Sequence, residues 1–147
     1  MRILVVNDDG IDSPGIAELA RIASGFGEVR VVAPAKQCSG MSQHVTVRGD
    51  FELRRIKDYP VPEVEAWSLT GTPADCVRAA LDHLYDEAPD LVLSGINDGY
   101  NIGKEILYSG TIGAAMEALA NGVPAMAFSA ERYDDLRASA HFIPEIL

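Results

Sequence analysis

Cysteine, positive charge and long apolar runs are all scarce in this sequence. The two cysteines, Cys38 and Cys76, lie far apart without Cys-x-x-Cys spacing, so neither a disulfide framework nor a zinc site is indicated. The sequence shows no signal-peptide pattern and no apolar run long enough to span a bilayer. We therefore expect a cytoplasmic location and no membrane partner.

The charge of the chain argues against further classes of function. The 147 residues include 12 basic and 22 acidic side chains, which gives a formal net charge of −10. Because no basic cluster is present to neutralise a phosphate backbone, a nucleic-acid polymer is not an expected partner. Carboxylates that converge in a cleft would instead attract a divalent cation. The length suits one domain with a substantial core.

Short apolar runs alternate with helical patterns along most of the chain. The strand-like runs, which are nearly continuous, cover residues 3–6, 29–33, 91–94 and 125–128. The helical patterns cover residues 15–24, 73–85 and 112–121. Continuous short runs are typical of parallel strands buried on both faces, so the alternation predicts a doubly wound α/β sheet.

Residues 44–69 do not follow this alternation. Residues 45–47, 51–53 and 66–69 have extended patterns, and they surround a loop at 58–62 that contains two prolines. We interpret the stretch as an antiparallel excursion or an edge hairpin with a loop.

The first apolar run leads directly into Asn7-Asp8-Asp9-Gly10. In an open parallel sheet this turn is the carboxyl end of the first strand, where such folds place their ligands. Two adjacent carboxylates repel each other, and a bound divalent cation is a common reason to tolerate them. The alternative is a plain strand-to-helix turn, since Asn, Asp and Gly also favour turns and helix caps.

Three further polar loops follow a strand or open a helix, and they should meet the first loop at one sheet edge. The second loop carries Ser39, and the glycine-rich third loop carries Asn97 and Asn101, neither of which a turn requires. The fourth, Ser109-Gly110-Thr111, offers hydroxyls, backbone N–H groups and a helix dipole to an anion. An ordinary N-cap explains Ser109 and Thr111 equally well.

A capping motif opens the helix expected from Pro73. Thr72 is suited to the N-cap position, and Asp75 then lies in the first helical turn. We interpret Asp75 as structural, with a supporting role near the site as the alternative.

The ordered combination of these motifs resembles one family. The motifs run through residues 7–16, 32–42, 70–77, 94–97 and 108–111. Together they resemble the SurE (survival protein E) family of metal-dependent 5′-nucleotidases, which also act as general acid phosphatases. The resemblance extends from residue 1 to about residue 129.

The resemblance implies a Rossmann-like three-layer α/β/α fold that binds one divalent cation, Mg²⁺ or Mn²⁺. It implies nucleoside 5′-monophosphates as substrates and Asp8 and Asp9 as catalytic residues. The implied metal ligands are Asp8, Asp9, Ser39 and Asn97. The implied phosphate-binding residues are Asn101, Ser109, Gly110 and Thr111.

Two departures from the family pattern stand out. After the turn at Asn101 this chain has Glu105 where the family usually has Asp, which keeps the charge but lengthens the side chain. Family members also continue further, with a C-terminal hairpin and a region used in dimer or tetramer assembly. We therefore expect residues 1–147 to form a single SurE-like phosphatase domain without that region, and homodimer or homotetramer formation stays open.

Several alternatives remain at this point. Either a metal-bound water or an aspartate could attack phosphorus, and the shortened chain could bind metal without turnover. A response-regulator receiver also has an acidic pair, but this chain has Ser94-Gly95 where a receiver has its phosphoacceptor aspartate. A dinucleotide-binding module would need a Gly-x-Gly-x-x-Gly turn after the first strand, which Asn7-Asp8-Asp9-Gly10 does not provide.

Overall fold

A computed structural model describes residues 1–133 and 135–147. Its six strands are β1 (Arg2–Val6), β2 (Glu28–Pro34), β3 (Leu53–Ile56), β4 (Glu65–Leu69), β5 (Leu91–Asp98) and β6 (Ala125–Ala130). Its four α-helices are α1 (Pro14–Ala23), α2 (Pro73–His83), α3 (Gly110–Ala120) and α4 (Arg137–Ile146), and a 3-10 helix covers Gly103–Leu107. Among these described residues, no helix has the length and apolar character needed to cross a membrane.

The strands form one sheet in the order β3-β4-β2-β1-β5-β6. All neighbouring strands are parallel except the pair β3 and β4. On one side of β1 lie β2, β4 and β3. On its other side lie β5 and β6, which come later in the chain. The carboxyl end of β1 therefore lies at the point where the strand order reverses, which is where open α/β sheets bind ligands.

Helices cover both faces of the sheet and create two cores. Ile3 and Val5 of β1 are fully buried in one core, which α1 and the Ile143 side chain of α4 complete. Leu4 and Val6 point to the opposite core, which α2 and α3 complete. Because both faces are covered, apolar and polar residues do not alternate along β1. The predicted three-layer α/β/α fold is confirmed.

The excursion between residues 44 and 69 differs in part from the prediction. β3 is antiparallel to β4, as expected, but β4 is itself parallel to β2, with Val31 opposite Ala66. Residues 45–47 form no strand, because the N–H and hydroxyl of Thr46 donate to the Asp75 carboxylate at 2.9 and 2.8 Å. The antiparallel character is therefore confined to the edge strand β3.

Capping sets the start of two helices. Thr72 caps α2 by accepting from the Asp75 N–H at 3.1 Å, while the Asp75 carboxylate accepts from the Thr72 N–H at 3.0 Å, which supports the structural interpretation of Asp75. The Ser109 hydroxyl accepts from the Ile112 N–H at 3.2 Å. α3 therefore begins at Gly110, two residues earlier than the pattern at 112–121 predicts.

Candidate active site

The turn after β1 is held by a buried amide. Asn7, which is fully buried, donates from Nδ2 to the Gly10 carbonyl at 3.1 Å and to the Ser13 hydroxyl at 2.7 Å. Its Oδ1 accepts from the Gly10 N–H at 3.2 Å. These bonds close the turn, so Asp8 and Asp9 are fixed at the carboxyl edge of the sheet.

Asp8 is a buried carboxylate, only 4% exposed. Its Oδ1 accepts from the Thr111 hydroxyl at 2.6 Å, and its carbonyl accepts from the Cys38 N–H at 2.7 Å. Burial raises the pKa of Asp8, and the negative charge of Asp9 raises it further, although hydrogen bonds from Thr111 act in the opposite direction. A nearby positive charge would stabilise the ionised form of this carboxylate.

The N-terminus of α3 comes very close to Asp8. A Cβ atom placed on Gly110 would lie 2.8 Å from the Asp8 Cβ and 3.0 Å from its Oδ2. A side chain larger than hydrogen at this position would push one of the two elements away. Gly110 therefore allows the positive end of the helix dipole to face the buried carboxylate.

Asp9 is half-buried and receives hydrogen bonds from three other parts of the chain. Its Oδ1 accepts from Gln37 Nε2 at 3.1 Å. Its Oδ2 accepts from the Asp98 N–H at 3.2 Å and also from the Tyr133 hydroxyl. The carboxylate is thus fixed in orientation by the segments that follow β2 and β6 and by the last residue of β5.

A cleft of about 280 Å³ opens beside Asp8. The predicted site residues that line it are Asp8, Ser39, Asn97, Asn101 and Ser109. Glu105 of the 3-10 helix, Tyr100 and Tyr108 also line the cleft, and all three are exposed. The structure therefore brings the four polar loops together. Asp9, Gly110 and Thr111 do not line the cleft, but each contacts a residue that does.

A groove of about 610 Å³ lies between β6 and α4 and is larger than this cleft. Its lining residues include Phe128, Arg132 and Phe142 but neither Asp8 nor Asp9. Volume alone therefore does not mark the site, and the convergence of carboxylates and amides is the better guide.

The two asparagines are oriented by different partners. Asn97 donates from Nδ2 to the Gly99 carbonyl at 2.7 Å, and its Oδ1 lies 3.3 Å from the Thr111 hydroxyl that also contacts Asp8. The amide oxygen of Asn97 therefore faces the carboxylate side of the cleft. Asn101 donates from Nδ2 to the Ser129 hydroxyl at 2.7 Å.

The donor atoms at this site fit a hard divalent cation. Asp8 and Asp9 provide carboxylate oxygens, Asn97 provides an amide oxygen and Ser39 provides an exposed hydroxyl. Within residues 1–133 and 135–147, no three or more His, Cys, Asp and Glu side chains gather to hold a metal. A cation here would therefore depend on two carboxylates, neutral oxygens and water, a donor set that Mg²⁺ and Mn²⁺ accept.

Two residues that contact Asp9 could not be assigned a role from the sequence. They are Gln37 and Tyr133. Gln37 lies in the predicted second loop, so its proximity follows from the convergence of the loops. Tyr133 is 124 positions away from Asp9 in the chain, and no spacing in the sequence links them. Thr111, expected at the phosphate, instead directs its hydroxyl to Asp8.

Comparison with known proteins identifies the family. The family model described as Survival protein SurE matches residues 3–147. The chain belongs to the SurE family. This membership decides against the receiver and dinucleotide-binding alternatives.

Individual SurE proteins show the extent of the similarity. The chain is 47% identical to the 5′-nucleotidase SurE of Methanopyrus kandleri over 91% of this chain and 50% of that protein. It is 46% identical to 5′-nucleotidase SurE 2 of Chlamydia caviae, over 100% of this chain and 53% of that protein. The chain thus spans about half the length of the curated relatives it matches.

A solved structure supports the same assignment. The crystal structure of the SurE protein from Aquifex aeolicus superimposes with a TM-score of 0.87 at 40% sequence identity. The match covers 99% of this chain and 58% of that chain. The six-stranded sheet and its helices are therefore an arrangement found within a SurE protein.

Proposed function

We propose that this chain is a metal-dependent phosphomonoesterase that hydrolyses nucleoside 5′-monophosphates to a nucleoside and phosphate. The observation that carries the proposal is the buried Asp8 carboxylate, held against the N-terminus of α3 at the point where the strand order reverses. The relatives named 5′-nucleotidase support the choice of reaction and substrate.

Four side chains would hold the cation in this proposal: Asp8, Asp9, Ser39 and Asn97. Bound Mg²⁺ or Mn²⁺ would polarise a phosphoryl oxygen and lower the pKa of a coordinated water. Thr111 donates to Asp8 and lies near the Asn97 amide oxygen, so it keeps these two groups oriented toward the same space. Asp8 and Asp9 are the catalytic residues of the proposal.

Phosphate would lie on the other side of the cleft, near Asn101, Ser109 and Gly110. The Ser109 oxygen accepts from the Ile112 N–H, which leaves its own proton free to donate into the cleft. The Gly110 N–H belongs to the first turn of α3, where an N–H has no partner within the helix. Such donors stabilise the negative charge that develops on the equatorial oxygens.

The attacking group can be determined by rapid acid quenching. We favour water, because the proposal assigns both Asp8 and Asp9 to the cation, and a bound cation would activate a coordinated water. Reaction with a nucleotide labelled at phosphorus, followed by acid quench, should then leave no label on the protein. Trapped aspartyl-phosphate would show that a carboxylate attacks instead.

The proposed reaction is tested by phosphate release from a panel of nucleoside 5′-monophosphates. We expect release with Mg²⁺ or Mn²⁺ and none after EDTA treatment, since the site has no cationic side chain among its cleft-lining residues. A folded chain that releases no phosphate from any 5′-nucleotide would contradict the proposal. Nucleoside 3′-monophosphates serve as the matched substrates that differ only in phosphate position.

A second candidate follows from the length of the chain. Because the chain spans about half of its curated relatives, it could bind the cation without turning over substrate. Mn²⁺ binding combined with the absence of phosphate release would support this candidate. Homodimer or homotetramer formation and a cytoplasmic location stay predictions from the sequence.

A further inference from the structure

Tyr133 joins the segment after β6 to the candidate metal site. Its hydroxyl donates to the Asp9 Oδ2 and lies 2.8 Å from the Ile96 carbonyl oxygen. Its own N–H donates to the Asp98 Oδ1 at 3.2 Å. The residue is therefore fixed at both its backbone and the tip of its side chain.

A glycine in α1 leaves the space that the Tyr133 ring occupies. A Cβ atom on Gly15 would lie 2.5 Å from the Tyr133 Cε1 and 2.1 Å from the Ile96 carbonyl oxygen. The ring thus packs directly against the first turn of α1, and the hydroxyl continues past it to Asp9. This packing restricts the ring to one position.

The Tyr133 hydroxyl has one proton to donate and two acceptors within reach, the Asp9 Oδ2 and the Ile96 carbonyl oxygen. When it donates to Asp9, the Asp9 Oδ2 has two donors, since it also accepts from the Asp98 N–H at 3.2 Å. The Asp9 Oδ1 has Gln37 as its donor at 3.1 Å, which leaves a lone pair for a further contact. If a cation draws charge from Asp9, the hydroxyl can donate to the Ile96 carbonyl and is not left without a partner.

We propose that Tyr133 is a positioning residue that orients the Asp9 carboxylate for a divalent cation. This inference rests on the proposed metal-dependent function. The Tyr133 hydroxyl contacts the site through its hydrogen bond to Asp9, so Tyr133 acts through that carboxylate and not on the substrate. Hydrogen-bond partners of metal-ligating carboxylates commonly contribute ten- to a hundredfold to metal affinity.

The test is Mn²⁺ binding, measured by the electron paramagnetic resonance signal of free Mn²⁺, for the 147-residue chain and Tyr133→Phe. The substitution keeps the ring against Gly15 and removes the hydroxyl. We expect a Kd for Mn²⁺ about tenfold higher, on the order of the effects seen for such partners. The Mn²⁺ concentration for half-maximal phosphate release should rise equally, while KM for nucleotide at saturating Mn²⁺ stays unchanged.

Tyr85→Phe is the matched control, because the Tyr85 hydroxyl also donates to a backbone carbonyl, that of Ile3 at 3.2 Å, away from the cleft. It should leave the Kd for Mn²⁺ unchanged. If Tyr133 had only a structural role, Tyr133→Phe would lower the midpoint of thermal unfolding without changing the Kd for Mn²⁺.

The outcomes separate the two proposals. If the unchanged chain binds Mn²⁺ and Tyr133→Phe binds it equally tightly, the positioning role is wrong and the proposed function stands. If the unchanged chain does not bind Mn²⁺, both are wrong. If circular dichroism shows that Tyr133→Phe is unfolded although the ring against Gly15 is kept, the hydroxyl is needed for the fold itself, and this outcome also contradicts a role in orienting Asp9.

Discussion

At the scale of single residues, the candidate site depends on how closely Asp8 is enclosed. Asp8 is 4% exposed and receives the Thr111 hydroxyl at 2.6 Å, so its position is fixed before any ligand binds. Gly110 permits this arrangement, because there is no space for a Cβ between α3 and Asp8. A small change at residue 110 should therefore affect the chemistry more than the fold.

We predict that Gly110→Ala lowers metal-dependent phosphate release at least tenfold. The added methyl would meet the Asp8 Cβ at 2.8 Å, so the carboxylate or the helix must move. Displacements of about 1 Å at reacting groups can cost about a hundredfold in rate. Steady-state phosphate release with saturating Mn²⁺ measures the effect.

Gly25→Ala is the matched control. Its Cβ would meet the Ile22 carbonyl oxygen at 3.4 Å, which is an ordinary contact outside the site. Equal activity in Gly110→Ala and Gly25→Ala would show that the close approach of α3 to Asp8 does not matter for the reaction.

The residue types at the cleft could be predicted, but their partners could not. Asp8 follows β1, Asn97 lies at the carboxyl end of β5 and Ser109 precedes α3, and the rule that parallel strands end at one edge brings them together. Tyr133 is different, because its contact with Asp9 depends on the path of the segment after β6 and on the space left by Gly15. No periodicity or local motif encodes that path.

At the scale of elements, the N-terminus of α2 shows how one carboxylate joins two parts of the chain. Asp75 is 3% exposed and completes the cap with Thr72, while Thr46 donates to it from the preceding loop. Burial acts to raise the pKa of Asp75, but the hydrogen bonds from Thr72 and Thr46 outweigh burial and hold the pKa below its usual value.

We predict that Asp75 makes folding stability depend on acidic pH. Because its pKa is lower in the folded chain than in the unfolded chain, its stabilising contribution is complete above about pH 4, the unfolded value. The contribution is lost as the pH falls through the folded value. Asp75→Asn should reduce the free energy of unfolding by about 1–3 kcal/mol at neutral pH, and this difference should shrink below about pH 4.

Urea unfolding of both proteins at several pH values measures this difference. Asp82→Asn, an exposed position on the same helix, is the control and should change the free energy little at any pH. A constant difference between the unchanged chain and Asp75→Asn across the pH range would contradict the assignment.

Element boundaries show where sequence patterns stop being informative. The pattern of α3 predicts a start at residue 112, because Gly110 is a poor helix former, yet the Ser109 cap includes it. The sequence pattern places β4 in an antiparallel excursion, whereas β4 pairs in parallel with β2, and its Ala66 and Leu69 side chains are buried in the two opposite cores. The local Ser109 cap decided the first case, and pairing with β2 decided the second.

At the scale of the whole molecule, two cores share one sheet. Leu4 of β1 is fully buried in the core that α2 and α3 cover. Leu19 of α1 is fully buried in the core on the opposite face of the sheet. Since both cores use the same strands, neither can lose its packing without disturbing the other. The described residues should therefore unfold as one unit.

We predict that Leu4→Ala and Leu19→Ala each lower the free energy of unfolding by about 2–5 kcal/mol. In both variants the transition followed by Trp67 fluorescence should coincide with the one followed by far-UV circular dichroism. Two separate transitions in either variant would show that the layers fold independently.

The central claim is that Asp8 holds a cation used to hydrolyse nucleotides, and one comparison tests it most directly. Phosphate release from adenosine 5′-monophosphate is measured with Mn²⁺ for the unchanged chain, Asp8→Asn and Asp82→Asn. The account predicts Mn²⁺-dependent release by the unchanged chain and by Asp82→Asn, with at least a hundredfold loss in Asp8→Asn, since a ligand and a charge are removed. Release by Asp8→Asn at the rate of the unchanged chain, or release that persists with EDTA, would contradict it.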